Sequence, residues 1–507
     1  MAITTISRRA FLTGTCLAAC GFSMPRLFAA SSDHAVVDAP CGTLRGEIVD
    51  GNRVFRGVPF AHPPVGSLRF RPPVKLKAWT GLREAAKFAP SAMQPGDGHS
   101  EDCLYLNIIA PSGKGPYPVY VWIHGGGFTG GSPSDSIYEH STLPQEGIIS
   151  ITVAYRLGVF GFLDVAPLLG KEYAGSANNA LRDLIMALEW IQENIGAFGG
   201  DPKRVTIGGE SAGAKLTGIL LGTPAARPLF HQAISESGGA ERVSPTAAAA
   251  AEVSAGFGKT WLKNHVGYQS LLTAPATALI DAQQTFTGSW PKHFPLRPEV
   301  DGELLPHMPI ESIAAGSSRG KRILIGTNAD ESALFIGPHP SKDPGPADLG
   351  NLAKAKFDEV LGHYKDVYPE MTDEQRRIRA LTAEEYMIPT DRVIEAHSRH
   401  GDAYVYRLDF AETSGNLKGY AFHGLDVGLV WNRPNINAGN AADEAALSAR
   451  MQKAWASFLR GETPAADGLP AWPKYTRRER TTMVLDVASH VDRKPHEAEY
   501  RLWDGLL

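Results

Sequence analysis

Short runs rich in β-branched and aromatic residues alternate with helical patterns along this chain, and this alternation limits the fold more than any other feature. The segment 178–195 has the periodicity of an amphipathic helix, with one apolar face formed by Leu181, Ile185, Leu188, Ile191 and Ile195. Strand candidates flank it on both sides, at 119–124, 149–155, 204–208, 231–235, 322–326 and 403–408. Repeated strand–helix–strand units predict an α/β fold in which helices cover both faces of a mostly parallel sheet.

Length and composition fit one large globular domain. The chain has 507 residues, of which 43% are hydrophobic and 21% are charged. Such a composition excludes a disordered chain, a collagen and a coiled coil. Because no internal repeat or linker divides the sequence, we expect a single domain over residues 31–507.

Charge and cysteine content exclude several classes of function. Lys and Arg number 50 against 54 Asp and Glu, without a basic stripe, so a nucleic-acid partner is not expected. The four cysteines are too few for a disulfide framework and lack the spacing of a zinc site. His397 and His400 lack the Glu of a zinc-protease helix, so we expect them on a solvated helix face. The sequence therefore implies no metal and no other cofactor, and it does not indicate an oligomeric state.

The N-terminal segment is typical of a bacterial twin-arginine signal peptide. Arg8 and Arg9 precede a short apolar run that ends near Ala30. That run is too short to span a bilayer, so we expect residues 1–30 to be removed and the mature protein to lack a membrane-spanning segment. The expected location is the periplasm or the outside of the cell. Since Leu17–Cys20 resembles a lipobox, a lipoprotein anchored at Cys20 is the alternative.

A Gly-x-Ser-x-Gly motif at 209–213 lies between the strand candidate 204–208 and an apolar helix. This order is the one that a nucleophile elbow requires, because glycines permit a sharp turn that leaves the serine hydroxyl exposed. A second match, at 316–320, precedes a strand candidate and is interpreted as a loop. Ser211 is therefore the candidate nucleophile, in preference to Ser318.

A glycine-rich stretch directly follows the strand candidate 119–124. It reads His124-Gly125-Gly126-Gly127-Phe128, which matches a loop whose N–H groups bind a developing oxyanion. The expected donors are the amides of Gly126, Gly127 and Ala212. The absence of Gly-Lys-Ser/Thr argues against a phosphate loop, and a structural glycine turn is the remaining alternative.

Several long motifs resemble those of the type-B carboxylesterase and cholinesterase family, and the resemblance extends almost to the end of the chain from about residue 38. They are Phe55–Gly66, Leu68–Phe70, Ser100–Asn107, Ala197–Pro202, Gly209–Gly213, Asp301–Gly302 with Leu305–Pro306, and Ala471–Tyr475. The resemblance implies an α/β-hydrolase fold, with a mostly parallel central sheet flanked by helices and helical insertions that form an active-site gorge.

The same resemblance implies an acid and a base. The family's acid follows a Gly-x-x-x-Asp strand end, which here gives Glu331, and its base opens a His-Gly-x-Asp/Glu loop, which here gives His423. The chain order Ser, Glu, His is that of the α/β-hydrolase fold. Glu210 and Ser237 resemble supporting positions of the site, with a purely structural role as the alternative.

These features together predict a serine hydrolase that cleaves small to medium neutral carboxylic esters through an acyl-enzyme intermediate. The expected partner is a small-molecule ester. The alternatives are a catalytically inactive binding protein on the same fold and an esterase for a specialised ester, such as an aromatic ester, a polyester or an ester-bearing toxin. Few residues separate Met93 from Glu101, so the loop that carries the cholinesterases' choline-binding Trp is absent and no choline preference is expected.

Overall fold

The computed structural model describes residues 34–139, 141–291, 294–337, 352–434 and 440–506. The signal-peptide prediction for residues 1–30, including Cys20, lies outside the described residues. From His34 onward the described elements belong to one compact unit. None of the described helices combines the length and the apolar character needed to cross a membrane.

The strands of the described residues form one large sheet and a small two-stranded one. Their bounds are β1 His34–Ala39, β2 Gly42–Val49, β3 Asn52–Pro59, β4 Leu82–Glu84, β5 Ser91–Ala92, β6 His99–Ser100, β7 Tyr105–Ala110, β8 Tyr117–Ile123, β9 Ile149–Val153, β10 Gly200–Glu210, β11 Gln232–Glu236, β12 Arg322–Asn328, β13 Asp402–Leu408, β14 Thr482–Leu485 and β15 His490–Asp492. The large sheet has the order β1-β2-β3-β7-β9-β8-β10-β11-β12-β13-β14-β15, with β4 beside β2.

The centre of this sheet is parallel and its margins are antiparallel. Neighbours are parallel from β9 through β8, β10, β11, β12 and β13 to β14. Strands β1, β2, β3 and β7 pair antiparallel with one another and with β9, and β15 pairs antiparallel with β14. The predicted strands and the mostly parallel α/β sheet are confirmed, whereas the antiparallel strands before β8 were not predicted.

Helices cover both faces of the sheet. Their bounds are α1 Gly158–Phe162, α2 Ala166–Leu169, α3 Asn179–Asn194, α4 Ala212–Gly222, α5 Ala247–Trp261, α6 Ala276–Ser289, α7 Pro309–Ala314, α8 Ala333–Ile336, α9 Lys354–Val367, α10 Asp373–Thr382, α11 Ile388–His397, α12 Leu425–Val430, α13 Ala441–Leu459 and α14 Glu497–Leu502. A π-helical turn, Ala383–Met387, joins α10 to α11.

The side chains of β8 point alternately to the two faces of the sheet, and both sets are apolar, so both faces need a layer of helices. Val119, Val121 and Ile123 pack into one core cluster together with the apolar face of α3. Tyr120 and Trp122, which point to the other face, pack into a second cluster with residues of α12 and α13. A strand that is apolar on both faces is stable only between two layers of helices, and this arrangement leaves the carboxyl edge of the parallel strands for the loops.

Candidate active site

Ser211 lies at the turn between β10 and α4, at the carboxyl edge of the parallel sheet. Its backbone has φ 57° and ψ −122°, and the helix begins at the next residue. The Ser211 N–H donates to the Glu236 carbonyl at 3.0 Å. A residue other than glycine is strained at positive φ, so the turn is a nucleophile elbow in its geometry.

The elbow depends on close backbone contact. A Cβ added to Gly213 would lie 1.9 Å from the Ile123 carbonyl oxygen, and one added to Gly209 would lie 2.2 Å from the same atom. The end of β8 therefore passes directly against the elbow. This contact brings the glycine-rich loop that follows β8 next to Ser211.

Glu331 and His423 meet at the same edge of the sheet. Glu331 follows β12 and His423 follows β13, and His423 Nδ1 is hydrogen-bonded to Glu331 Oε2 at 2.6 Å. The other carboxylate oxygen, Oε1, accepts hydrogen bonds from Ser237 Oγ at 2.5 Å and from the Asn328 N–H at 2.7 Å. Glu331 is fully buried. Three donors thus fix this carboxylate, and the carboxylate fixes the imidazole.

The second nitrogen of the imidazole faces another carboxylate. His423 Nε2 lies 3.0 Å from Glu210 Oε1, and neither atom has a hydrogen-bond partner among the described residues. The structure accordingly shows no hydrogen bond between Ser211 and His423.

Two carboxylates control the charge of the imidazole. Burial by itself lowers the pKa of His423, but the negative charges of Glu210 and Glu331 outweigh it and raise the pKa to about 9. Burial raises the pKa of Glu210 to about 8, although attraction to His423 acts in the opposite direction. The imidazole thus lies in surroundings that favour its protonated form.

The loop after β8 contains backbone N–H groups that are not used by the backbone of the described residues. Gly126 has φ 111° and Gly127 has φ 62°, and a Cβ on Gly126 would lie 2.2 Å from the Gly130 carbonyl oxygen. The N–H groups of Gly126 and Gly127 donate to no carbonyl within the described part of the chain. Ala212 is the first residue of α4, and the N–H of a first helical residue has no hydrogen-bond partner within the helix. The loop that carries two of these amides passes beside Ser211, since a Cβ on Gly125 would lie 3.2 Å from Ser211 Cβ.

A cavity of about 570 Å³ adjoins this loop. Gly127 forms part of its wall, and most of the remaining wall comes from the end of α6 and the segment after it, including Trp290, Phe294 and Leu296. Its lining is thus largely apolar and aromatic beside the candidate oxyanion donors.

The second Gly-x-Ser-x-Gly motif has a different environment. Ser318 lies in the turn before β12 and its hydroxyl is hydrogen-bonded to His397 Nδ1 at 2.8 Å, with both residues fully buried. The expectation that His397 lies on a solvated helix face is therefore wrong. Helix α11 packs its end against the turn before β12, and that packing buries the imidazole.

Two aromatic residues that pack against the His423 imidazole were not found from the sequence. The ring of Tyr386 lies 4.7 Å from the His423 imidazole, and that of Phe335 lies 5.1 Å from it, measured between ring centroids. Phe335 comes four residues after Glu331, and this closeness to the acid was a usable signal. Tyr386 lies in a π-helical turn, and no pattern in the sequence indicates such a turn.

Comparisons with known proteins agree with this geometry. The chain matches the model of the carboxylesterase family over residues 33–503. It is similar to para-nitrobenzyl esterase of Bacillus subtilis, with 34% identity over 491 residues that cover 92% of this chain and 98% of that protein. It is also similar to fumonisin B1 esterase of Sphingopyxis macrogoltabida, with 33% identity and coverages of 86% and 84%. The crystal structure of a carboxylesterase from Geobacillus stearothermophilus matches with a TM-score of 0.83 at 34% identity, covering 92% of this chain and 100% of that one.

Proposed function

The chain belongs to the carboxylesterase family and is a carboxylic-ester hydrolase, and we propose that Ser211, His423 and Glu331 perform the hydrolysis. One observation carries this proposal. The hydrogen bond between His423 Nδ1 and Glu331 lies at the same edge of the sheet as the strained elbow of Ser211. Nucleophile, acid and base thus follow one another along the chain in the order Ser211, Glu331 and His423, and each follows a strand of the parallel sheet at its carboxyl edge.

The proposed reaction has two halves. In the first, His423 Nε2 takes the proton of Ser211 Oγ while Oγ attacks the carbonyl carbon of the ester. The resulting oxyanion accepts hydrogen bonds from the amides of Gly126, Gly127 and Ala212. Collapse of this intermediate breaks the bond to the alcohol, which leaves with the proton from His423. In the second half His423 takes a proton from a water molecule, which attacks the acyl carbon. Collapse of the second intermediate breaks the bond to Ser211 Oγ and releases the acid, while His423 returns the proton to Oγ.

Glu331 supports both halves of this reaction. Its carboxylate accepts a hydrogen bond from Nδ1–H, which leaves Nε2 as the nitrogen that takes the proton of the nucleophile, and it stabilises the imidazolium that forms in each half. Ser237 Oγ and the Asn328 N–H hold the far oxygen of the carboxylate in place. We therefore assign Ser237 a supporting role through Glu331, and Glu210 a role in setting the charge of His423.

For the substrate, we propose neutral esters with an apolar or aromatic group. The cavity of about 570 Å³ beside Gly127 has room for a group of that kind, and Trp290, Phe294 and Leu296 offer it apolar contact. Two similar proteins are named para-nitrobenzyl esterase and fumonisin B1 esterase, and these names are in keeping with an aromatic or specialised ester. A specialised bulky or aromatic ester is accordingly the second candidate, favoured by the size of the cavity.

A panel of chromogenic esters tests the substrate class. The panel varies the acyl group from acetyl to benzoyl and pairs each choline ester with its neutral isostere. We expect kcat/KM to increase from acetyl to the larger apolar acyl groups and to be at least as high for the neutral ester as for the choline ester. A choline preference of tenfold or more, or a steady fall of kcat/KM with acyl size, would contradict the proposed substrate class.

We also propose that residues 1–30 direct export by the twin-arginine route. The support is the sequence pattern around Arg8 and Arg9. In a bacterial host, changing both arginines to lysine should keep the protein in the cytoplasm, and mass spectrometry of the exported protein should show a new N-terminus near Ala30. A lipid-modified N-terminus at Cys20 would instead support the lipoprotein alternative.

A further inference from the structure

A lysine lies buried directly beneath the elbow. Lys215 is four residues after Ser211 on α4, and its N–H donates to the Ser211 carbonyl at 2.9 Å. The residue is 5% exposed. Its Nζ donates to the carbonyl oxygens of Gly238 and Glu385 at 3.1 Å each, and lies 3.0 Å from the Glu385 carboxylate. One ammonium group thus joins α4 to the turn after β11 and to the π-helical turn.

The first of these contacts leads to Glu331. Gly238 follows Ser237, whose backbone has φ 60° and whose N–H donates to the Gly326 carbonyl at 2.8 Å. Ser237 Oγ donates to Glu331 Oε1. The turn that Lys215 holds at Gly238 therefore sets the position of the hydroxyl that orients the carboxylate.

The second contact leads to the imidazole. The Lys215 ammonium lies 4.8 Å from the centroid of the Tyr386 ring, and the same ring packs against His423. A cation near an aromatic ring is attracted to its π electrons, more strongly when both are removed from water. The Lys215 ammonium and the imidazole thus both contact the Tyr386 ring, which lies in the π-helical turn Ala383–Met387. Turns of this kind occur frequently at functional sites.

Burying this lysine is costly. Burial lowers the pKa of Lys215 well below its usual range, and the Glu385 carboxylate is shared with Arg242, which also pairs with it. A methionine in the same place would fill the space without the cost of removing a charge from water. The contacts of the ammonium offer a reason for its presence, because Gly238 adjoins the serine that is hydrogen-bonded to Glu331 and the Tyr386 ring packs against His423.

We propose that Lys215 is a positioning residue of the active site, which acts through the Ser237–Gly238 turn on Glu331 and through the Tyr386 ring on His423. This inference rests on the proposed catalytic roles of Ser211, His423 and Glu331. Loss of the ammonium should therefore misplace the acid–base pair while leaving the ester cavity beside Gly127 intact.

The test compares two buried lysines. Lys321 precedes β12 and resembles Lys215 in its contacts, since its Nζ donates to the Arg227 and Phe230 carbonyls and lies 4.0 Å from the centroid of the Phe230 ring. It lies at the amino end of the strand whose carboxyl end leads to Glu331. Lys321→Met therefore controls for the general cost of removing a buried ammonium.

For Lys215→Met we expect kcat to fall by about tenfold to a hundredfold, the scale of a small misplacement of catalytic groups. KM should stay within about threefold of the wild-type value, and fluorophosphonate labelling of Ser211 should slow in parallel with kcat. Lys321→Met should lower the melting temperature and leave kcat within about twofold. The proposal is overturned if Lys215→Met keeps its kcat, or if both variants lose kcat equally.

A second pair of variants decides the matter if Lys215→Met does not fold. Tyr386→Phe keeps the ring that contacts Lys215 and His423, whereas Tyr386→Leu removes it. We expect the phenylalanine variant to retain kcat within about threefold and the leucine variant to lose it on the scale predicted for Lys215→Met. Equal kcat in these two variants would overturn the proposal. A wild-type protein that neither cleaves any ester nor labels at Ser211 would contradict the proposed function itself, which is a separate outcome.

Discussion

Two serine–histidine pairs lie at opposite edges of the same sheet, and they differ in hydrogen bonding and in exposure to solvent. Ser318 and His397 lie at the amino ends of β12 and β13, and Ser211, His423 and Glu331 lie at carboxyl ends of the parallel strands. Ser318 and His397 are hydrogen-bonded to each other at 2.8 Å and fully buried. Ser211 and His423 are not hydrogen-bonded to each other, and Ser211 is partly exposed. A short contact between serine and histidine is therefore not a sign of catalysis by itself.

The two imidazoles differ in what surrounds them. Burial lowers the pKa of His397 to about 4, and none of the described carboxylates is hydrogen-bonded to it. Glu210 and Glu331 raise the pKa of His423 to about 9 despite similar burial. Carboxyl ends of parallel strands are where loops can bring in such groups and where substrate can enter. The two pairs thus differ in their location on the sheet and in the charge of their neighbours, and both differences support the proposed roles of Ser211 and His423.

The largest expected difference is in ester turnover between the variants Ser211→Ala and Ser318→Ala. Ser211→Ala should lower ester turnover by roughly 10⁵-fold or more, since a triad without its nucleophile retains only residual catalysis. Ser318→Ala removes a hydroxyl that reaches neither substrate nor the acid–base pair, so kcat should stay within about twofold. Turnover of chromogenic esters and the site of fluorophosphonate labelling measure this. Label on Ser318, or full activity in Ser211→Ala, would reverse the assignment.

Glu331→Gln should have the next largest effect. Ser237 Oγ and the Asn328 N–H both donate to Oε1, so the amide oxygen takes that place and the amide NH₂ faces His423 Nδ1. The imidazole must then accept at Nδ1 and carry its proton on Nε2, which is the wrong tautomer for a base. We expect kcat to fall by about 10⁴-fold.

Asp330→Asn is the matched control for Glu331→Gln. Asp330 Oδ2 accepts from the Ala421 N–H and makes no contact with His423 in the described structure. Its kcat should therefore remain within a few-fold of the wild-type value. If Asp330→Asn lost as much kcat as Glu331→Gln, the assignment of the acid role to Glu331 would be wrong.

Gly126→Ala tests the proposed oxyanion donors in the loop beside Ser211. The new Cβ would meet the Gly130 carbonyl oxygen at 2.2 Å, at a φ of 111° that alanine does not favour, so the loop must shift. Losing one oxyanion donor costs about 10²-fold in kcat or more. Gly130→Ala, whose Cβ would have 3.4 Å to its nearest neighbour, should be tolerated. A rise in KM alone would mean that the loop binds substrate without contacting the oxyanion.

Much of this site could be predicted because it lies on the ends of regular strands. Ser211, Glu331 and His423 each follow a strand of the parallel sheet, and the long motifs around them indicate their order. The positions of Lys215 and Tyr386 beside the site could not be predicted. The contacts between Lys215 and the turn that contains Tyr386 join segments about 170 residues apart in the chain. The burial of His397 depends likewise on the packing of α11 against the turn before β12. Antiparallel strands β1 to β3 and β7 resemble other half-buried segments in sequence, and only their pairing distinguishes them.

Glu210→Gln should move the pH dependence of the active pair. Kinetics should show kcat/KM increasing as His423 loses its proton, with a midpoint above the ordinary histidine pKa of about 6.5. Because the Glu210 charge raises the pKa of His423, its removal should lower the midpoint, by about one pH unit. An unchanged midpoint would show that Glu210 does not control the charge of the base.

The smallest effect on activity is expected for the buried pair, where His397→Gln should change stability and not kcat. The pKa of His397 is about 4 in the folded protein and about 6.5 in an unfolded chain. Between these values the unfolded chain binds a proton that the folded protein does not, so His397 costs stability as the pH falls from 6.5 to 4. The slope from one such proton is about 1.4 kcal/mol per pH unit. Urea unfolding at several pH values should show a shallower loss in His397→Gln than in the wild type, with kcat at pH 8 unchanged. If the slopes were identical, His397 would have to be protonated in the fold, and a fall in kcat would mean that the two edges of the sheet are coupled.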